Sequence, residues 1–216
     1  MFGFFTLLLG SLLTFASGTT VNADGEPAGD FDYFVLSLSW SPTWCALQGD
    51  ARKSPQCTND KDFGWVLHGL WPQYEDGYPS FCPTAKRQPT RGMTAKMADI
   101  MGTSGVAWHQ WTKHGTCVGV EAAQYYALMR LAYEKITRPQ VLRDIGRDVR
   151  LPASVIEDAF LEANPGLKPE EITITCRSGR IQEARVCLDM NLDPRRCGDD
   201  VIRDCRATDA LLDKIR

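Results

Sequence analysis

Eight cysteines in a chain of 216 residues constrain the fold more than any other feature of this sequence. A high, even count points to an oxidising compartment and up to four disulfides. The N-terminus points the same way. Residues 1–15 are almost entirely apolar, and no charged side chain appears before Asp24. This is the pattern of a secretory signal peptide, with Val21-Asn22-Ala23 or Ala16-Ser17-Gly18 offering small residues for cleavage. The apolar run is too short to span a bilayer comfortably. Residues 1–23 are therefore expected to be removed. Residues 24–216 are expected to form one domain, secreted or periplasmic, with no membrane contact once the leader is gone.

Composition narrows the class. At 44% hydrophobic and 24% charged, the chain is ordinary globular protein, which excludes collagen-like and wholly disordered readings. Its 24 Lys and Arg against 27 Asp and Glu give a net charge of -3. A protein that holds duplex DNA by phosphate neutralisation alone needs a basic field that is missing here. An enzyme gripping one or two phosphates in a cleft does not.

The periodicities are mixed. Residues 31–40 alternate Ser37 and Ser39 with Leu36, Leu38 and Trp40, as a core strand does. A second short strand over 63–67 ends at His68, and a turn-rich stretch with Gly77, Pro79, Pro83 and Pro89 follows. Residues 94–101 read as a helix capped by Thr94. The segment 107–117 is helical in its first part, and 120–136 carries Tyr125, Tyr126, Met129 and Tyr133 at helical spacing. Pro139 and Pro152 suit the first turns of two more helices. Residues 172–176 and 180–189 alternate as strands around the turn Arg177-Ser178-Gly179. No repeat and no regular βαβ alternation is present, so the fold class is α+β.

The chain has three histidines. His68 lies in Trp65-Val66-Leu67-His68-Gly69-Leu70-Trp71-Pro72-Gln73. His109 and His114 lie in Trp108-His109-Gln110-Trp111-Thr112-Lys113-His114-Gly115-Thr116-Cys117. If 108–114 is helical, His109, Gln110, Lys113 and His114 share one face while Trp111 points into the core. A buried polar face beside tryptophans would not need a Lys and two His together. Other chemistries lack their residues: the sequence has no C-x-x-C, H-E-x-x-H, G-x-S-x-G or Walker loop. Separated imidazoles and a cation suit acid–base catalysis on an anion that supplies its own nucleophile. RNA is such an anion, because its 2'-hydroxyl can attack the adjacent phosphorus.

Two blocks, His68-Gly69-Leu70-Trp71-Pro72 and Trp111-Thr112-Lys113-His114-Gly115-Thr116-Cys117, resemble the signatures of the ribonuclease T2 family of secreted, acid-active, largely base-nonspecific endoribonucleases. The resemblance runs from the strand at 31–40 to about Cys205. It implies a central antiparallel sheet flanked by helices and stapled by disulfides. It implies cleavage of single-stranded RNA, not DNA, through a 2',3'-cyclic phosphate to a 3'-phosphate, with no metal and no cofactor. By motif position, His114 would be the base of the first step and His68 the general acid. Lys113 would stabilise charge on the phosphate, and His109 would help bind it. Trp71 and Tyr78 match positions that hold the base 5' to the cut by stacking. The implied disulfides are Cys45–Cys57, Cys82–Cys117, Cys176–Cys205 and Cys187–Cys197. A monomer is expected.

The sequence departs from the family pattern twice. Gln110 stands where the family has a Glu acting with the Lys on the phosphate. Gln keeps the shape and can donate a hydrogen bond, but it carries no charge. Gln73 stands where some members carry an acid that reads adenine, which weakens any expectation of purine preference. Two rival readings follow. One is a catalytically weakened RNA-binding member of the same fold, with Gln110 as its lesion. The other is a disulfide-stapled structural or inhibitor-like protein, which would need neither His motif.

Overall fold

The alternation read over 31–40 becomes an interior strand of a six-stranded sheet in the computed structural model, which describes residues 25–58 and 60–216. The leader expected over 1–23 lies outside the described residues. Strand β1 (Tyr33–Trp40) pairs antiparallel on one side with β2 (Trp65–Gln73) and on the other with β5 (Arg180–Leu188). β4 (Ile172–Arg177) forms a hairpin with β5. The order runs β2-β1-β5-β6-β3, with two short strands at the far end, β3 (Val149–Leu151) and β6 (Ala210–Leu212). Every pairing is antiparallel except β5 with β6, which run parallel.

The two faces of the sheet differ sharply. Phe34, Leu36, Leu38 and Trp40 of β1 join Leu67, Leu70, Ala184, Val186 and Leu188 in the main core. Helix α5 (Ala122–Lys135) covers this face with Tyr125, Met129 and Ala132, all fully buried. The opposite face carries Val35, Ser37 and Ser39, paired in register with Cys187, Arg185 and Glu183. There a small cluster of Tyr33, Val35, Cys187, Cys197 and Val201 is buried, and beside it the face turns polar.

Strand β2 runs on through the first motif to Gln73, where the sequence reading ended it at His68. Gly69 and Pro72 look like breakers, yet β2 is an edge strand, where proline is tolerated. Its register slips by one residue. Ser37 pairs with Gly69, but Leu38 pairs with Leu67, so His68 is the extra residue of a β-bulge. Without the slip, Leu67 and Leu70 would point to opposite faces. With it both are buried, and His68 is turned toward the polar face.

Helix α4 (Ser104–Lys113) carries the second motif; Thr103 caps it by accepting from the Val106 amide at 3.4 Å. Upstream, the single helix expected over 94–101 is two short ones, α2 (Arg91–Ala95) and α3 (Ala98–Met101). Thr90, not Thr94, is the cap: its hydroxyl accepts from the Met93 amide at 3.2 Å. Short α1 (Ser41–Trp44) precedes β2, α6 (Gln140–Arg143) follows α5, and α7 (Ala153–Ala163) precedes β4. Pro139 and Pro152 sit just before α6 and α7, at their N-caps. Three tyrosine hydroxyls on α5 tie neighbouring elements together. Tyr125 donates to the Leu70 carbonyl at 2.9 Å, Tyr133 to Trp65 at 3.1 Å, and Tyr126 to Ala107 on α4 at 3.0 Å. Among the described residues no helix is long and apolar enough to cross a membrane.

The cysteines pair as Cys45–Cys57, Cys82–Cys117, Cys176–Cys205 and Cys187–Cys197. Cys82–Cys117 clamps the loop after β2 to the turn after α4, next to the backbone bond from the Phe81 amide to the Lys113 carbonyl at 2.8 Å. Replacing both residues by Ala should lower unfolding free energy by about 2–4 kcal/mol, the usual range for a native bridge. Denaturant titration of the double variant measures this. An unchanged midpoint would mean the clamp contributes nothing beyond the packing around it.

Candidate active site

The bulge on β2 and the last turns of α4 meet over the polar end of the sheet. His68 is held from below by strand β5: its Nδ1 lies 2.6 Å from Oε1 of Glu183. Glu183 is almost fully buried. Its Oε2 accepts from Arg185 twice, from Nε at 2.9 Å and from a terminal nitrogen at 2.7 Å, and Ser39 Oγ donates to Oε1 at 3.3 Å. Burial pushes the Glu183 carboxyl up, but the bond and charge of His68 and the Arg185 guanidinium outweigh it and hold it at about 2. The partners thus favour the ionised carboxylate.

His114 sits in the opposite environment. It caps α4, its backbone amide donates to the Gln110 carbonyl at 2.9 Å, and its side chain is buried. Its ring stacks on Trp71 with centroids 5.3 Å apart and planes 27° apart. Nδ1 is buried with no hydrogen-bond partner. Burial, then the charges of Lys113, His68 and His109, push its pKa down to about 3. His109, one turn back and largely exposed, is lowered by the partial desolvation of its ring and by Lys113 and His68. The Lys113 ammonium lies 5.5 Å from the centre of the Tyr78 ring.

Trp71 is the hub. Its indole N–H donates to Gln110 Oε1 at 2.7 Å, its ring meets His68 edge-on at 5.3 Å, and Arg185 lies over it at 5.3 Å. Gln110 is thus built into the wall, with its oxygen committed and its amide nitrogen left to donate. The ring face of Trp71 is partly taken by His114, and Tyr78, 42% exposed, is the more open aromatic. The close approach also explains Gly69. A Cβ there would lie 2.2 Å from Gln110 Oε1 and 2.3 Å from Trp71 Nε1.

All eight residues singled out in the sequence, His68, Trp71, Gln73, Tyr78, His109, Gln110, Lys113 and His114, line one cavity of about 360 Å³. Gln73 is nearly buried, and its amide donates to the Pro72 carbonyl at 3.0 Å. A second cavity of about 240 Å³ also has His68 in its wall, with Ser39, Trp44, Gln56 and Arg177. The sequence reading missed Glu183 and Arg185. Their signal was faint: two charged residues at strand spacing on a strand whose neighbour could not be read from sequence. Chemically, the cleft presents one imidazole kept neutral, one held on a carboxylate, and an ammonium beside them. Such a set can move protons to and from an anion.

The ribonuclease T2 family model matches residues 31–197. A ribonuclease of Aeromonas hydrophila is 42% identical over 122 residues, 56% of this chain and 54% of that protein. A probable ribonuclease of Haemophilus influenzae is 33% identical over 51% of this chain and 47% of its own length. The chain spans about half the length of these curated relatives. Ribonuclease DdI of Dictyostelium discoideum is 26% identical over 82% of both chains. Among solved structures, an RNase-related protein from Calystegia sepium aligns with a TM-score of 0.65 at 19% identity, covering 86% of this chain and 98% of that one. Trichomaglin, described as a novel S-like ribonuclease, aligns at 0.65 and 22%, covering 85% and 97%. These likenesses show the fold.

The tight seat of Gly69 generates a test. Gly69→Ala should force Trp71 and Gln110 apart and destabilise the protein by about 1–3 kcal/mol, as overpacking does. The Trp71 indole N–H resonance should lose its hydrogen-bonded shift. An alanine variant with wild-type stability and an unmoved indole signal would show that the contact is loose.

Proposed function

The chain belongs to the ribonuclease T2 family, and from that premise we propose that it is an endoribonuclease that cuts single-stranded RNA by transphosphorylation. The observation that carries the proposal is the contrast between two imidazoles on one cleft. His114 is kept neutral by burial, so its ring stays unprotonated, and free to serve as the base, even in mild acid. It removes the proton of the 2'-hydroxyl, and the freed oxygen attacks phosphorus. His68 gives a proton to the departing 5'-oxygen, leaving a 2',3'-cyclic phosphate. His114 is buried with its Nδ1 unpartnered, while His68 is partly exposed with its Nδ1 on a carboxylate, and this asymmetry supports His114 as the base and His68 as the acid. In the slower second step the roles reverse: His68 takes a proton from water, and His114 returns one to the 2'-oxygen, giving a 3'-phosphate.

Lys113 neutralises charge growing on the phosphate oxygens, and the Gln110 amide adds a neutral donor. His109 stands at the rim where the incoming phosphate passes. Tyr78 and Trp71 offer ring contact to the base 5' to the cut, which is worth roughly 1–3 kcal/mol and tolerates any base. Gln73 gives one amide hydrogen to a backbone carbonyl and carries no charge, in keeping with loose base choice. Four disulfides among the described residues support a secreted or periplasmic life. The mechanism needs no metal and no cofactor, and DNA lacks the nucleophile. Gln110 is tied into the site by Trp71, so nothing favours a merely RNA-binding protein.

Purified protein should therefore degrade single-stranded RNA in excess EDTA and leave DNA uncut. His68→Ala and His114→Ala should each lose about 10²–10⁴-fold in kcat, the usual share of a general acid or base. Loss of activity on chelation, or equal cutting of DNA, would contradict the mechanism.

The pH profile gives a second test. A base with its pKa near 3 stays deprotonated above that value. The rate on a dinucleotide should hold between pH 5 and pH 4, falling only as pH approaches about 3. Gln110→Glu places a negative charge beside His114, favours its cation and raises its pKa. The acidic limb should move to higher pH in that variant. An acidic limb near pH 6 in the wild type would mean that burial does not hold His114 neutral, and no movement in the variant would mean that His114 does not set that limb.

A further inference from the structure

We propose that Glu183 is the positioning residue of the reaction: it fixes His68 in the one tautomer and orientation that serve both proton transfers. The proposal rests on the ribonuclease reading above for its catalytic half, and on geometry alone for its positional half.

The strand register brings Glu183 there. Ser39 pairs with Glu183 and Ser37 with Arg185, so both charged side chains leave β5 on the polar face, beneath the bulge that turns His68 toward it. The carboxylate is locked at both ends. Oε2 accepts the two nitrogens of Arg185, and Oε1 takes the Ser39 hydroxyl and His68 Nδ1. A buried carboxylate is expensive unless its charge is met and its lone pairs are filled. Glu183 meets both conditions, and His68 is one of the groups that meets them.

An ionised carboxylate can only accept. The hydrogen between it and the ring therefore belongs to His68 Nδ1. That leaves Nε2, on the far edge of the ring, as the atom that exchanges protons. In the first step Nε2–H goes to the 5'-oxygen, and the neutral ring keeps its Nδ1–H on Glu183. In the second step the Nε2 lone pair must be free to take a proton from water. The same neutral tautomer is needed at both moments, and Glu183 is the group that enforces it. Arg185 also lies over Trp71, which stacks on His114. The carboxylate network therefore adjoins the wall that holds the second imidazole.

A structural role and a positioning role separate by leaving group. Two substrates are compared: the dinucleotide uridylyl-3',5'-adenosine, whose 5'-oxygen needs a proton to leave, and uridine 3'-(4-nitrophenyl phosphate), whose phenolate does not. Glu183→Gln should lose about 10²–10³-fold in kcat on the dinucleotide, with KM within about threefold. On the aryl ester it should stay within about threefold of wild type. Glu183→Asp, which keeps the charge, should recover part of the loss and guards against a Gln variant that folds poorly. Independently, ¹⁵N shifts of neutral His68 should show the proton on Nδ1 in the wild type. Equal losses on both substrates, no loss on either, or a wild-type His68 protonated on Nε2 would each overturn the proposal. Wild-type protein inactive on both substrates would overturn the ribonuclease reading and the catalytic half with it, while the ¹⁵N result still decides the positional half.

Discussion

The pairing of β1 with β2 skips one residue at His68, and the rest of the site hangs on that offset. Leu67 and Leu70 are three apart in sequence, yet both are fully buried in one core. A regular strand cannot do this, because its faces alternate. Burying a leucine is worth roughly 1.5–3 kcal/mol, so the two together hold the bulge firmly in place. The residue left over is His68. Its position is thus set by apolar packing on the side of the sheet it does not touch. The imidazole is held by hydrophobic energy that does not depend on any ligand.

On the polar face the same economy recurs. Trp71 meets two histidines, Gln110 and Arg185 with different parts of one ring system. The indole edge is a donor and its faces attract cations. The two imidazoles can thus share one wall and still experience opposite electrostatics. One is desolvated and crowded by positive charge; the other is seated on a carboxylate.

The two His motifs were legible because each is a contiguous run, with tryptophans that fix its neighbours. Helical spacing sufficed to put His109, Gln110, Lys113 and His114 on one side of α4. The extent of β2 was less legible, since Gly69 and Pro72 read as breakers until the strand is known to lie at an edge. The cap of α2 was misplaced by four residues because Thr90 and Thr94 are equally good caps in isolation, and tertiary contacts choose between them. Strands β3 and β6 are three residues long, too short for any period to register. Glu183 was out of reach for a different reason. Its partner lies 115 residues away, and only the pairing register of β1 with β5 reveals that they meet.

Helix α5 adds no side chain to the cleft, yet its tyrosine hydroxyls hold β2 at Leu70 and Trp65 and α4 at Ala107. It behaves as a spacer bar that sets the gap between the strand bearing one imidazole and the helix bearing the other. Substitutions on it would be invisible to any survey of ligand contacts. They would instead show up as a change in stride, with both histidines intact and correctly surrounded but set at a different distance from each other.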